Sequence, residues 1–432
     1  MALLEKIQSK EAKVAVVGLG YVGLPMAVTV ARNGYNVLGF DILQKRADQI
    51  KRGENYIGDV DSEELKELVE KGLISATTDY SLIKDMDVIM VAVPTPLDKY
   101  KQPDSSYVIS STKSIAEHIK KDTLLVLEST TYPGTTREIV APEIEKRGFV
   151  VGRDIFVAFS PERVDPGNKD YKTDNTPKVV GGMTEECNRI SGVFYKTILT
   201  APVFLVSSPE VAEMEKIYEN TFRNINIALA NEMTILCEKM GIDIWEVIEA
   251  ASTKPYGFMP FYPGPGIGGH CIPLDPFYLT WKAREFNYHT RLIELAGEIN
   301  NSMPDFVVGK AASILNKRGI ALSKAKILLI GAAYKKDIDD IRESPVQMVI
   351  HLFEKQGCYP DYNDPFIPSF VNEINHKHYQ SVDLDKIGEY DLVVITTNHA
   401  IYDYNDIVNR AKLILDTRLA TNGMKLEKII RL

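Results

Sequence analysis

KVAVVGLGYVG, residues 13–23, is the stretch that decides the fold. Residues 13–17 form a short apolar run that predicts a buried strand. The turn Gly18-Leu19-Gly20-Tyr21-Val22-Gly23 follows, then an apolar segment reaching Asn33-Gly34, which predicts a helix and its C-cap. Val37–Phe40 predicts the next strand, with Asp41 at its end. A lone GxGxxG says little. One set between a strand and a helix, with an acid closing the second strand, is the arrangement that cradles a dinucleotide. The glycines allow the tight turn and let a pyrophosphate approach the backbone, and the helix N-terminus supplies amide donors and a positive dipole end. Asp41 can accept from both ribose hydroxyls and repels a 2′-phosphate, which selects NAD over NADP. A purely structural glycine turn is the alternative.

Outward from this turn, further apolar runs stand at Val88–Val93, Leu124–Leu127 and Ile155–Phe159, separated by helical patterns. That alternation predicts βαβ units and a parallel sheet. Between Pro209 and Gly241 there is no proline or glycine, and Met214, Ile217, Tyr218, Ile225, Ala228 and Leu229 recur at helical spacing. One helix is expected there, far above the usual length of about 11–12 residues, serving as a spine between domains. More helix runs to about 318. Strand character then returns at Lys326–Ile330, Val393–Thr396 and Leu413–Leu415. The chain reads as two α/β domains joined by a helical middle.

With 432 residues, two to four domains are expected. Hydrophobic content of 45% and charged content of 25% are ordinary for a folded chain. The net charge of −9 argues against a nucleic-acid partner, yet a local basic cluster can still serve an anionic substrate. Cys187, Cys237, Cys271 and Cys358 are scattered without a CxxC pair, which argues against a metal site or disulfide framework and fits a reducing compartment. The N-terminus has no signal-peptide pattern and no eighteen-residue apolar run occurs, so no membrane span and a cytoplasmic location are expected.

Three other stretches carry chemistry. In Pro263-Gly264-Pro265-Gly266-Ile267-Gly268-Gly269-His270-Cys271-Ile272-Pro273-Leu274-Asp275-Pro276, four glycines beside one cysteine mean that backbone must come close to something. Amides there can cradle a diphosphate. Cys271 is either a nucleophile or a buried structural thiol; His270 beside it reads as structural. On the expected long helix, Glu213, Lys216, Asn220, Arg223, Asn224 and Asn231 follow one stripe. So many amides, which are poor helix formers, either line a site or form a buried polar seam. Phe159-Ser160-Pro161-Glu162-Arg163 and Ser129-Thr130 end strands, where ligands of open α/β sheets sit.

These residues resemble the UDP-glucose/GDP-mannose dehydrogenase family over nearly the whole chain. The series GLGYVGLP, VPTP (93–96), EST (128–130), SPER (160–163), AEMEKIYENTFRNINIALANE (212–232), PGPGIGGHCIPLDP and KKDIDDIRESP (335–345) carries the likeness. SPERVDPGN and TKPYGFMPFYPGPGIGGHCIPLDPFYLTWKARE look most like the UDP-N-acetylglucosamine 6-dehydrogenases. The resemblance implies two Rossmann-like domains joined by a long central helix: an NAD-binding domain at 1–208, a central domain at 209–318 with the cysteine loop and the homodimer contact, and a UDP-sugar domain at 319–432.

The resemblance also implies the chemistry and the roles. The C6 alcohol is oxidised twice by NAD, through a thiohemiacetal and a thioester on Cys271, to a uronate for surface polysaccharide precursors. Lys216 and Asn220 match the oxyanion donors, Asp275 the carboxylate paired with water and lysine, Thr130 the threonine that positions that water, and Glu162 a glutamate assigned to base or thioester hydrolysis. Gly18, Gly20, Tyr21, Val22, Gly23, Asp41, Arg46, Thr95, Ser129, Thr130 and Arg342 match the cofactor site. Glu162, Arg163, Lys216, Asn220, Arg223, Gly268, Lys335 and Arg418 match the substrate site. Pro166 and Pro255 stand where UDP-glucose enzymes place a glutamate and an arginine, which favours a 2-acetamido sugar. UDP-N-acetylmannosamine, UDP-N-acetylgalactosamine and UDP-glucose are the alternatives. A two-electron β-hydroxyacid or glycerol-phosphate dehydrogenase and a non-catalytic nucleotide-sugar sensor are the readings from other classes.

Overall fold

The computed structural model describes every residue except Met1, Lys99, Lys101, Pro166, Lys169, His270, Asn422 and Lys425, so the readings of Pro166 and His270 fall outside the described residues. Two compact units make up the chain: Met1–Glu219 with Phe277–Tyr288, and Asn220–Pro276 with His289–Leu432.

The first unit is built on eight strands: β1 (Lys13–Val17), β2 (Asn36–Phe40), β3 (Ile74–Thr77), β4 (Val88–Val91), β5 (Thr123–Leu127), β6 (Ile155–Phe159), β7 (Lys178–Gly182) and β8 (Val203–Val206). Their order is β3-β2-β1-β4-β5-β6-β7-β8, and every pair is parallel except β6 with β7. Alternate residues of β1 supply the cores on the two faces, Val14 and Val16 on one, Ala15 and Val17 on the other. Burial on both faces is why these strands are continuous apolar runs. The strand order reverses between β1 and β4, which opens a crevice at their carboxyl ends. The helix Gly23–Arg32 starts at that edge and stops at Asn33, followed by Gly34 at φ +94°.

The second unit holds a five-stranded parallel sheet of β9 (Ile327–Ile330), β10 (Asp361–Asn363), β13 (Leu392–Ile395), β14 (Ile414–Asp416) and β15 (Ile429–Arg431), in the order β10-β9-β13-β14-β15. A separate hairpin pairs β11 (Ser369–Val371) with β12 (His378–Gln380). This order also reverses beside its first strand, between β9 and β13. Helices Arg291–Asn316 and Pro345–Lys355 cover the sheet through Met303, Val307, Ala311, Val346, Ile350 and Phe353.

Pro209–Met240 is a single helix of 32 residues, about 48 Å long at about 1.5 Å per residue. It begins in the first unit and ends in the second. The fold is two Rossmann-like α/β sheets joined by this helix. The expected strands all form; β3, β7, β8, β10, β15 and the hairpin are additional.

Candidate active site

The glycine turn after β1 is fixed by backbone contacts. Gly18 has φ +91°, and a Cβ there would lie 2.4 Å from the Ala92 carbonyl oxygen. A Cβ on Gly23 would lie 1.8 Å from the Gly18 carbonyl oxygen. Around Gly20, by contrast, a Cβ would meet nothing within 4 Å, so the turn faces open space at a helix N-terminus. That is a cradle an anion fits and a side chain would fill. The buried Asp41 carboxylate accepts the Leu19 N–H (3.1 Å), the Leu43 N–H (2.9 Å) and Arg46 Nη1 (3.2 Å). Tyr21 is exposed and Val22 half-buried at the same turn. The turn, Asp41 and Arg46 are therefore one assembly, and its residues fit a dinucleotide.

Other residues expected near the cofactor lie past the ends of β4 and β5. The Ser129 hydroxyl donates to the Val93 carbonyl at 2.8 Å, and the Thr95 carbonyl accepts the Tyr278 hydroxyl. Thr130 is half-buried.

Glu162 follows β6. Its Oε1 accepts the N–H of Arg163 and of Val164, each at 2.8 Å, and its Oε2 lies 3.4 Å from Lys178 Nζ. Burial pushes its carboxyl up, but Lys178, those two amides and Lys216 outweigh burial and hold it below the ordinary glutamate value. Lys178 also reaches Glu128 Oε2 at 3.4 Å, and the Tyr195 hydroxyl donates to Glu128 Oε1. Lys178 and Tyr195 carry no signal in the sequence, and Glu128 stands out there only within EST (128–130). Arg163 carries a guanidinium already engaged, by Glu219, by Glu215 and by the Pro177 carbonyl.

The cysteine loop belongs to the second unit, and helix amides hold it. Asn231 Oδ1 accepts the Gly264 N–H (3.1 Å), Asn224 Nδ2 donates to the Ile272 carbonyl (3.0 Å), and Asn220 Nδ2 donates to Asp275 Oδ2 (2.6 Å). Asn300, on a neighbouring helix, bridges Asn231 and Asn224. The Asp275 N–H closes back on the Cys271 carbonyl at 2.8 Å, and Cys271 is an exposed residue. The amides of the stripe form a buried polar seam that holds the cysteine loop. Glu213 departs from this pattern. Wholly buried in the first unit, it accepts from Gly134 and Thr136 and works as a fold anchor. Arg223 is exposed, as is Pro255.

Further along that unit, the Gly269 N–H donates to the Arg342 carbonyl at 3.2 Å, and a Cβ on Gly268 would lie 2.5 Å from Tyr334 Cβ. Arg342 forms a two-pronged pair with Asp340, and Lys335 is half-buried. Arg418 donates from Nε to the Thr396 carbonyl at 3.0 Å, past the end of β13. Burial pulls its guanidinium down to about 10, with no carboxylate offsetting it. A desolvated cation in that state suits an anionic ligand. Among the described residues, no group of three or more His, Cys, Asp or Glu is arranged to hold a metal ion, and no helix is long and apolar enough to cross a membrane.

Three models of the UDP-glucose/GDP-mannose dehydrogenase family match the chain: its NAD binding domain at residues 12–199, its central domain at 210–302 and its UDP binding domain at 328–423. The chain is 38% identical to a UDP-N-acetyl-D-glucosamine 6-dehydrogenase of Pseudomonas aeruginosa, over 94% of each protein. It is 35% identical to a UDP-N-acetyl-D-mannosamine dehydrogenase of Methanocaldococcus jannaschii, over 96% of this chain and 94% of that one. A solved UDP-D-ManNAc dehydrogenase from Pyrococcus horikoshii superposes with a TM-score of 0.88 at 32% identity, covering 97% of this chain and 98% of the other.

Proposed function

From the premise that the chain belongs to the UDP-glucose/GDP-mannose dehydrogenase family and is an NAD-dependent nucleotide-sugar dehydrogenase, we propose that it oxidises the C6 alcohol of UDP-N-acetylglucosamine to the carboxylate, with Cys271 as covalent nucleophile. The observation that carries this reading is an exposed cysteine on a loop pinned by Asn220, Asn224 and Asn231. A structural thiol would be packed away, as Cys187 and Cys358 are.

NAD would supply the hydride acceptor for each of two oxidations; Gly18–Gly23, Asp41 and Arg46 would hold it, with Thr95, Ser129 and Arg342 completing its site. The remaining work falls to side chains. Cys271 adds to the C6 aldehyde, because an aldehyde has no easily lost hydride until a nucleophile adds. Lys216 and Asn220, one turn apart on one helix, stabilise the oxyanion that this addition creates. Asp275, oriented by Asn220, partners the lysine and water. Glu162 takes the proton from the water that cleaves the thioester, and Thr130 positions the water held by Asp275 and the lysine. Lys335 and Arg418 take the diphosphate side of the substrate, and Arg163, Arg223 and Gly268 complete the substrate contacts.

The functional division proposed is 1–208 for NAD, 209–318 for the cysteine loop and dimerisation, and 319–432 for the UDP-sugar. The similar Pseudomonas aeruginosa protein supports the glucosamine reading, and Pro255 in place of an arginine supports a 2-acetamido sugar. The mannosamine isomer is the second reading, favoured by the Methanocaldococcus jannaschii and Pyrococcus horikoshii proteins. The uronate product serves surface polysaccharide synthesis in the cytoplasm.

NADH formation with UDP-N-acetylglucosamine, -mannosamine, -galactosamine and UDP-glucose, each in turn, separates these. Two NADH per UDP-N-acetylglucosamine are expected; turnover with UDP-glucose alone would sink the reading. Cys271→Ser is expected to abolish steady turnover, and full activity in that variant would rule out covalent catalysis and restore the two-electron alternative. Binding of the sugar nucleotide without any NADH would restore the sensor.

A further inference from the structure

We propose that Lys178 and Glu128 are positioning residues that fix Glu162 as an oriented carboxylate and set the pH at which it takes a proton. This rests on the role proposed above for Glu162. Lys178 is the first residue of β7, with its side chain 4% exposed, and Glu128 directly follows β5 with its side chain at 0%. The ammonium sits 3.4 Å from an oxygen of each carboxylate. Tyr195, on the helix Glu185–Ile198, donates to the other oxygen of Glu128 and places its ring centroid 5.7 Å from Lys178 Nζ. The other oxygen of Glu162 accepts two backbone amides. Both oxygens of Glu162 are thus engaged, so its orientation is fixed rather than averaged over rotamers.

A cation shared between two carboxylates in a dry place is a poor device for stability alone, since apolar packing of the same volume does as well or better. It is a good device for holding one acid at a chosen protonation state. Lys178 stabilises the Glu162 carboxylate, and the Glu128 charge opposes it. The other groups facing Glu162 are Tyr195, Lys216 on the long helix, and Arg163, whose charge Glu215 and Glu219 take up. Burial pushes Glu128 itself up, opposed by Lys178. In the hydrolysis step the water O–H bond breaks and its proton passes to Glu162. The water oxygen bonds to the thioester carbon, and the C–S bond opens to return the Cys271 thiolate.

The test is the pH dependence of kcat in the NAD-saturated enzyme with UDP-N-acetylglucosamine. Lys178→Met should move the acid limb to higher pH by about one unit or more, Lys178→Arg should restore it, and Glu128→Gln should move it the other way. Should Lys178→Met fail to fold, the nearly isosteric Glu128→Gln decides alone: a limb at lower pH supports the proposal and an unmoved limb overturns it. Opposite displacements are a signature that general loosening of the fold does not give. Glu162→Gln separates the two layers. If it is inactive while neither neighbour moves the limb, the positioning proposal is wrong by itself; if it is fully active, the role of Glu162 falls and the proposal falls with it.

Discussion

Gly264 illustrates how closely the second unit is fitted around one cation. A Cβ at this position would lie 2.3 Å from Arg418 Nη1, so a methyl group there must push the guanidinium aside. Gly264→Ala is expected to raise KM for the sugar nucleotide about ten-fold, equivalent to about 1.4 kcal/mol, with NAD affinity unchanged by fluorescence titration. An unaltered KM would show that Arg418 does not hold the substrate. At this scale the sequence was informative where a residue type is costly or rare in its setting. Cysteine among glycines and amides along a helix both stood out. Lys178 did not, because a lysine beside a proline and before two valines looks like the solvated start of an edge strand. Only tertiary contacts put its ammonium between the carboxylates of Glu128 and Glu162.

Among the elements, the first strand–turn–helix unit was legible almost to the residue, since its constraints are local. Gly23 cannot carry a side chain without striking the Gly18 carbonyl at 1.8 Å. Gly23→Ala should therefore cost the chain its dinucleotide affinity, measured by isothermal titration with NAD, while UDP binding is retained; normal NAD affinity would refute the fit described for the turn. The strands missed in the sequence are short or chemically mixed. β10 is Asp361-Tyr362-Asn363 and β7 ends in two glycines, compositions that read as turns. They form because neighbours already in the sheet supply hydrogen-bond partners, which periodicity cannot reveal. The long helix was legible for the opposite reason. The run between Pro209 and Gly241, without a breaker, leaves few options but one helix.

The whole molecule leaves one face of that helix unfilled. Met214, Tyr218, Phe222, Leu229 and Leu236 recur at helical spacing and are 42–69% exposed. Apolar residues in such a row are typical of surfaces covered by another protein, and a second copy of the chain is the occupant proposed. Light scattering should give twice the 48.4 kDa chain mass, and Tyr218→Lys with Leu229→Lys should halve it; a wild-type monomer would refute the dimer.

The excursion of the chain carries a consequence in time. Phe277–Tyr288 returns to the first unit after the chain has entered the second. Tyr278, Leu279 and Trp281 pack with Tyr132, Leu97, Ile139 and Ile217. On the ribosome, at about 5–20 residues per second, Tyr288 is added roughly 3–14 s after Glu219. During that interval Leu97, Tyr132, Ile139 and Ile217 of the nascent first unit lack the segment that packs on them. Midway through its own synthesis the chain therefore offers a chaperone a few seconds of apolar surface to hold.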